Sequence, residues 1–205
     1  WIAQDALNFC IKNKGWVNVF DYFKKNKKDL IWPRGFPLDE IKNKKFFEGE
    51  LRFIESPIQQ HLSSQDPDVD AIYRLTHKEK KISFLRKKPL AIFKKTYSTF
   101  NSQNTRWFKL AFPLLYLPTF CSFRACDIWR GLIALRILHL NNMPLIYASP
   151  SNYQVRNYHN LFKDFVEEIP VYLRDKEILK ILYSINLPAG EEKITQSLLM
   201  IYKKL

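Results

Sequence analysis

The amino-acid sequence predicts an α/β fold, and two kinds of pattern support this prediction. Short apolar runs at Leu90–Phe93 and Leu145–Ala148 are typical of strands. The stretch Asp127–Leu140 carries apolar residues at helical spacing, which indicates an amphipathic helix of about three to four turns. Because strands and helices alternate along the chain, we expect helices layered on a sheet, with a mixed α+β sheet as the alternative.

The first third of the chain predicts four further elements. An apolar stripe predicts a helix over Trp1–Lys14, and alternating polar and β-branched residues predict a short strand over Trp16–Phe20. A proline followed by two carboxylates predicts a brief helix over Pro37–Lys42, since acidic side chains complement the positive end of a helix. The segment Ala71–Thr76 is expected to form a helical turn or a short strand.

The second half of the chain is expected to add one strand and three helical segments. Apolar residues predict a strand at Trp107–Phe112 and amphipathic helices at Tyr158–Ile169 and Ile178–Ile185. The tail Glu191–Leu205 is also expected to be helical. No internal repeat or domain boundary is visible, so we expect one domain over residues 1–205.

Composition excludes a disordered chain and narrows the classes of partner. The 205 residues are 46% hydrophobic and 26% charged, a balance typical of globular domains. The formal net charge is +13, and the lysine clusters lie in the first half of the chain. This excess favours anionic partners in general, so nucleic acid, anionic lipid, nucleotide diphosphates and acidic glycans all stay open.

Cysteines and the first residues add little about function. The three cysteines show neither C-x-x-C spacing nor the density of a disulfide framework. The chain begins with Trp1, and it contains no signal-like stretch and no run of eighteen apolar residues. We therefore expect an excerpt of a longer protein, with any membrane anchor outside it.

A group of aspartates is the first candidate for chemistry. Asp66, Asp68 and Asp70 fall within one turn, and Asp68-Val69-Asp70 has a D-x-D spacing that could hold Mn²⁺ or Mg²⁺ on a diphosphate. Hard cations prefer oxygen ligands, and phosphate oxygens would complete the shell. The alternative is an acidic cap in front of the helical turn at Ala71.

The second candidate is the stretch Ser122–Gly131, which reads SFRACDIWRG. It places Asp127 between Arg124 and Arg130 near the start of the predicted helix. Positive charge on both sides favours the carboxylate form, which can accept a proton from a hydroxyl group. The alternative is a helix-capping aspartate with a local salt bridge.

Two more residues are candidates for binding anions or a metal. Arg34 lies between Pro33 and Gly35 in a constrained loop, from which its guanidinium could bind a diphosphate or a carboxylate. His159 follows a polar loop and could ligate a metal or contact a phosphate. The alternatives are a surface arginine in a turn and a structural histidine.

Four segments together resemble the STELLO-type glycosyltransferases. They are Ile31–Leu38 (IWPRGFPL), Gln65–Thr76 (QDPDVDAIYRLT), Ser122–Gly131 (SFRACDIWRG) and Tyr153–Phe165 (YQVRNYHNLFKDF). They occur in the expected order and span about two thirds of the chain. As a set they are specific, although each segment alone is short.

The resemblance implies a GT-A-like fold, of which this chain would be the C-terminal part, with nucleotide-binding strands upstream of Trp1. It implies a nucleotide-sugar donor, a glycan acceptor, a divalent cation and a Golgi lumenal location. By resemblance, Asp127 is the catalytic base and His159 a late metal ligand. The principal metal-binding aspartates would precede Trp1, so Asp68 and Asp70 are candidates for the metal from their spacing alone, with a decoy triplet as the alternative. Arg34, Arg124 and Arg130 are expected to bind substrate.

Two other functions are weighed against this one. A scaffold of the same fold would bind other glycan-synthesis proteins, and the aromatic content, with 16 Phe and 10 Tyr, suits such surfaces. A nucleic-acid-binding domain is supported only by charge and interleaved aromatics. No nucleic-acid recognition motif is visible, so nucleic acid is not an expected partner.

Overall fold

The computed structural model of the chain describes residues 6–43, 46–77 and 81–205. The strands within these ranges are β1 (Ala6–Ile11), β2 (Gly15–Trp16), β3 (Gly49–Ile54), β4 (Ile58–Gln65), β5 (Leu90–Ile92), β6 (Thr96–Tyr97), β7 (Thr105–Trp107) and β8 (Leu145–Gln154). The helices are α1 (Val19–Phe23), α2 (Ala71–Thr76), α3 (Phe123–Leu140), α4 (Leu161–Ser184) and α5 (Ile194–Tyr202). Short 3-10 segments lie at Leu38–Glu40, Lys109–Leu115 and Glu191–Lys193.

A mixed sheet organises the described part of the chain. Its strand order is β3-β1-β5-β8-β4-β7, and β2 pairs with β6 in a separate two-stranded sheet. In the larger sheet, β1 is parallel to β5 and β4 is parallel to β8, whereas the other neighbours are antiparallel. The predicted α/β fold is confirmed, and the sheet is of the mixed kind.

The main core lies between this sheet and the helices. On β5, Leu90 and Ile92 are fully buried in the same cluster as Leu132 and Leu135 of α3. Ala91 lies between them in sequence and belongs to a smaller cluster, because successive residues of a strand point to opposite faces. The long helices α3 and α4 pack against each other, and α5 packs on α3.

The N-terminal prediction was wrong over the residues that can be checked. Residues 1–5 of the predicted helix Trp1–Lys14 lie outside the described ranges, and Ala6–Ile11 is strand β1. Its apolar residues fit a buried strand as well as a helix, and pairing with β3 and β5 decides between them. The strand predicted at Trp16–Phe20 is correct only at Trp16, since Asn18 accepts a hydrogen bond from Phe20 N and is the N-cap of α1.

The predictions for the later elements are mostly confirmed. The strands at Leu90 and Leu145, the helix ending at Leu140 and the helical tail all occur, and 71–76 forms a helix. The two helices predicted over 158–169 and 178–185 are one helix, α4, which contains Pro170. The strand predicted at 107–112 is correct only at Trp107, which ends β7, because the chain beyond it turns into the 3-10 segment that contains Pro113.

Buried His139 makes the fold sensitive to acid. It lies on α3 with 1% of its surface exposed, and its Nδ1 is 2.5 Å from the Tyr183 hydroxyl. Burial, together with the positive charges of Arg136 and Lys94, lowers the pKa of His139 to about 3. The unfolded chain therefore binds a proton at His139 well before the folded chain does as the pH falls.

We expect His139 to destabilise the fold progressively as the pH falls below its unfolded pKa. Between neutral pH and about pH 5, this residue alone should cost up to about 2 kcal/mol of unfolding free energy. Urea unfolding of wild type and His139→Gln at both pH values measures the difference. The variant should lose less stability over this interval, whatever its stability at neutral pH, and an equal loss would contradict the prediction.

Candidate active site

The site lies where two parallel strands end. β4 and β8 are parallel neighbours, so the segments that follow Gln65 and Gln154 leave the sheet at the same end. The first of these segments contains the predicted aspartates, and the second contains Arg156 and His159. In α/β sheets, ligands usually bind at the C-terminal ends of the parallel strands.

Arg34 is the centre of the site. Its Nε donates to both carboxylate oxygens of Asp68, at 3.1 and 3.0 Å, and its Nη2 lies 2.8 Å from Asp68 Oδ2. The same Nη2 donates to Asp127 Oδ2 at 3.0 Å, and Nη1 donates to the carbonyl of Arg124. One buried guanidinium therefore joins the loop after β4 to helix α3, and all three of its nitrogens are engaged.

The local sequence explains how Arg34 reaches this position. Gly35 has a φ of +82°, a conformation that favours glycine, and a Cβ there would lie 2.5 Å from Ile128 Cγ2. The loop can therefore lie directly on α3. Burial lowers the pKa of Arg34, but the charges of Asp68 and Asp127 outweigh that effect and raise it above its usual value.

Asp127 presents its carboxylate at the surface of this cluster. Its Oδ2 accepts hydrogen bonds from Arg34 and, at 3.1 Å, from the backbone N–H of Ser102. Oδ1 accepts no hydrogen bond from the described residues, and 15% of the side chain is exposed. The capping role weighed for Asp127 is wrong, because α3 begins at Phe123 and Asp127 lies in its second turn.

Asp68 and Asp70 point to different partners. Asp68 Oδ2 also accepts from Asn101 Nδ2 at 2.6 Å, and the Arg34 charge lowers the pKa of Asp68 despite burial, which acts to raise it. Asp70 accepts from Trp32 Nε1 at 2.6 Å and from Tyr73 N at 2.7 Å. It is the N-cap of α2, as the alternative interpretation held.

Asp68, Asp70 and His159 do not fit a site for a divalent cation. The oxygens of Asp68 and Asp70 are already occupied by protein donors, and His159 lies instead beside Asp164. Across residues 6–43, 46–77 and 81–205, no group of three or more His, Cys, Asp or Glu side chains could hold a metal ion. Asp68, Asp70 and His159 therefore do not form a metal centre with one another.

Arg124 links the Arg34 cluster to a second group of buried charges, because its carbonyl accepts from Arg34 and its guanidinium binds an acid on α4. Its guanidinium donates to Oε1 of Glu168, with Nε at 2.7 Å, and Glu168 is fully buried on α4. Oε2 of Glu168 accepts from Ala71 N at 2.7 Å and from the Tyr172 hydroxyl at 2.5 Å. The carboxylate thus holds α2, α3 and α4 together.

His159 and Arg130 lie at opposite ends of this network. Asp164 Oδ2 lies 2.5 Å from Arg156 Nη2 and 3.4 Å from His159 Nδ1. Arg130 donates from Nη2 to Ser102 Oγ at 2.9 Å, and its guanidinium lies 4.6 Å from the Trp107 ring centre. Its Nε is buried and has no hydrogen-bond partner among the described residues.

Of the predicted site residues, the structure brings together Arg34, Asp68, Arg124 and Asp127. Two buried acids, Glu168 and Asp164, were not predicted, because in the sequence each looks like an ordinary charge on an amphipathic helix. A signal for Glu168 was available, since it lies on the apolar side of α4 three residues before buried Val171.

Comparisons with known proteins bear on this arrangement. Residues 124–205 match the family model described as STELLO glycosyltransferases. Over 134 residues, the chain is 33% identical to "Probable glycosyltransferase STELLO2" and 32% identical to "Probable glycosyltransferase STELLO1", both from Arabidopsis thaliana.

Each alignment covers 62% of this chain and 17% of the relative, so the chain spans less than a fifth of the length of these curated relatives. Among the described residues, no helix is both long and apolar enough to cross a membrane. The resemblance predicted from the four segments is confirmed, and residues 124–205 carry this chain's match to the STELLO glycosyltransferase family.

Proposed function

We propose that this chain supplies the acceptor side of a glycosyltransferase domain. The domain would transfer a sugar from a nucleotide-sugar donor to a glycan or glycoconjugate acceptor. The observation that carries the proposal is the state of Asp127, whose Oδ2 is held by Arg34 and Ser102 while Oδ1 is left for a substrate. A base must be held in place and must also be accessible, and this carboxylate meets both conditions.

In the proposed reaction, Asp127 Oδ1 accepts the proton of an acceptor hydroxyl group. The hydroxyl oxygen forms a bond to the anomeric carbon, and the bond between that carbon and the diphosphate oxygen breaks. The electron pair of that bond leaves with the diphosphate. A single displacement of this kind inverts the configuration at the anomeric carbon.

The three arginines take different roles in this proposal. Arg34 positions Asp127, because all of its side-chain nitrogens already donate within the protein. Arg124 is held in the same way by Glu168. Arg130 is buried, with 3% of its surface exposed, and it donates to Ser102 Oγ, so we assign to it the positioning of Ser102, whose N–H donates to Asp127 Oδ2.

The remaining properties come from the resemblance alone. From the resemblance we propose a Golgi lumenal location, a divalent cation and other glycan-synthesis proteins as partners. The reaction proposed for Asp127 does not involve the cation. A scaffold without activity is the second candidate function. Aromatic side chains that are largely exposed, such as Tyr158 and Phe162, favour it because they suit protein contacts.

The test is transfer by the intact protein that contains this chain. The protein is incubated with a panel of nucleotide sugars and soluble oligosaccharides, and NMR assigns the configuration of any new linkage. We expect transfer with inversion. Transfer with retention would overturn the role of Asp127, and a protein that neither binds nor turns over any donor, but associates with glycan-synthesis proteins, would be a scaffold.

A further inference from the structure

A groove of about 400 Å³ lies between the loop that precedes α3 and the C-terminal helix α5. Its size falls within the range of about 300 to 1,000 Å³ that is usual for small-molecule sites. Aromatic rings and hydroxyl groups share its lining, which includes Tyr116, Thr119, Phe120, Thr195, Leu199 and Tyr202.

The aromatic rings of the groove form a wall that is open to solvent. The Tyr202 ring lies 5.1 Å from the Tyr116 ring and 6.4 Å from the Phe120 ring, and both pairs meet edge to face. Phe120 is 60% exposed and Tyr116 is 58% exposed. An edge-to-face pair covers only one face of one of its two rings, so aromatic surface on Tyr116 and Phe120 is available to a ligand.

We propose that this groove binds the sugar rings of a neutral oligosaccharide acceptor. A pyranose ring has faces made of C–H groups, which pack on aromatic faces, and a rim of hydroxyl groups, which need hydrogen-bond partners. Thr119 and Thr195 supply such partners beside the rings. No charged side chain lines the groove among the described residues, so a neutral sugar fits it better than an acidic one.

The loop that lines the groove leads into the helix that carries Asp127. The loop that carries Tyr116 and Phe120 runs directly into α3, and Asp127 lies seven positions after Phe120. Arg130 interacts electrostatically with both Asp127 and Tyr202. The Tyr202 hydroxyl donates to the Tyr116 carbonyl at 3.3 Å and ties α5 to the loop.

This inference deepens the proposed function, on which it rests, by naming where the acceptor binds. The test measures binding of cellohexaose, xylohexaose and mannohexaose to the intact protein by calorimetry and saturation-transfer NMR, with no nucleotide sugar present. The variant is Phe120→Ala, with Phe120→Tyr as the conservative replacement. Phe53→Ala is the matched control, because Phe53 is 69% exposed on β3 and does not line the groove.

We expect at least one hexasaccharide to bind, and Phe120→Ala to raise its dissociation constant about tenfold. Phe120→Tyr and Phe53→Ala should bind like the wild type. If Phe120→Ala binds as the wild type does, or if no hexasaccharide binds, the groove is not the acceptor site. A protein partner on these rings would give that result.

The two proposals can fail separately. Binding that depends on Phe120, in a protein that transfers no sugar, would support the groove and overturn the proposed reaction. Sugar transfer that is insensitive to Phe120→Ala would support the reaction and overturn the groove.

Discussion

Asp127→Asn is expected to lower the turnover number for sugar transfer by about 10² to 10⁴, the usual contribution of a general base. The substitution keeps the size of the side chain, and the amide oxygen can still accept from Arg34 Nη2 and from Ser102 N. What is lost is the capacity of the Oδ1 position to take a proton. The measurement is the turnover number of the intact protein at saturating donor, with the Michaelis constant for the donor little changed.

Asp68→Asn is the matched control for this experiment. Asp68 makes an ion pair with the same arginine, through Nε and Nη2, and 16% of its side chain is exposed, against 15% for Asp127. The Asp68→Asn substitution also removes one negative charge beside Arg34, but it leaves the proposed base, Asp127, unchanged. We therefore expect most of the turnover number to be retained. If both variants lose activity equally, the ion-pair network matters rather than proton transfer, and the role assigned to Asp127 is wrong.

Arg34→Met is expected to lower the free energy of unfolding by about 3 to 5 kcal/mol, because it leaves two poorly solvated carboxylates without their cation. Asp68 and Asp127 would then repel each other across the former guanidinium site, and the Arg124 carbonyl would lose its donor. Methionine has a similar length, so the change in volume contributes little. Denaturant unfolding of the protein and the variant measures the difference.

Two further variants make the Arg34 result interpretable. Arg174→Met breaks an exposed pair with Glu177, whose side chains are 61% and 53% exposed, and should cost less than about 0.5 kcal/mol. Adding Asp68→Asn to Arg34→Met removes one of the stranded charges and should recover part of the lost stability. A cost for Arg34→Met as small as that for Arg174→Met would show that solvent screens the cluster.

Several parts of the fold could be predicted from local pattern because local and tertiary preferences agree there. Helix α3 has apolar residues on the spacing of a helix, and β8 begins as a short apolar run beside Pro144. The prediction failed at β1, where the apolar residues fit both a helix and a buried strand. Pairing with β3, more than forty residues later in the chain, decided that element.

The candidate site, too, could be predicted from the sequence only in part. Charged residues close to prolines, glycines and a helix start are unusual. For this reason the sequence alone indicated Asp127, Arg34 and Arg124 as candidate site residues. Their contacts could not be predicted, since Arg34 and Asp127 are 93 positions apart and meet only through the loop that Gly35 permits. Glu168 was missed because its burial depends on α2 and α3 together.

By itself, the sequence determined the α/β class, the family resemblance and the residue types available for chemistry, because these depend on composition and on order along the chain. Only the tertiary structure decided what each residue does within the protein. It turned the Asp68-Val69-Asp70 triplet into an ion-pair partner and a helix cap, and it made Arg34 the link between two carboxylates. The physical reason is that the energy of a buried charge depends on its neighbours in space, and the fold alone determines which charges become neighbours.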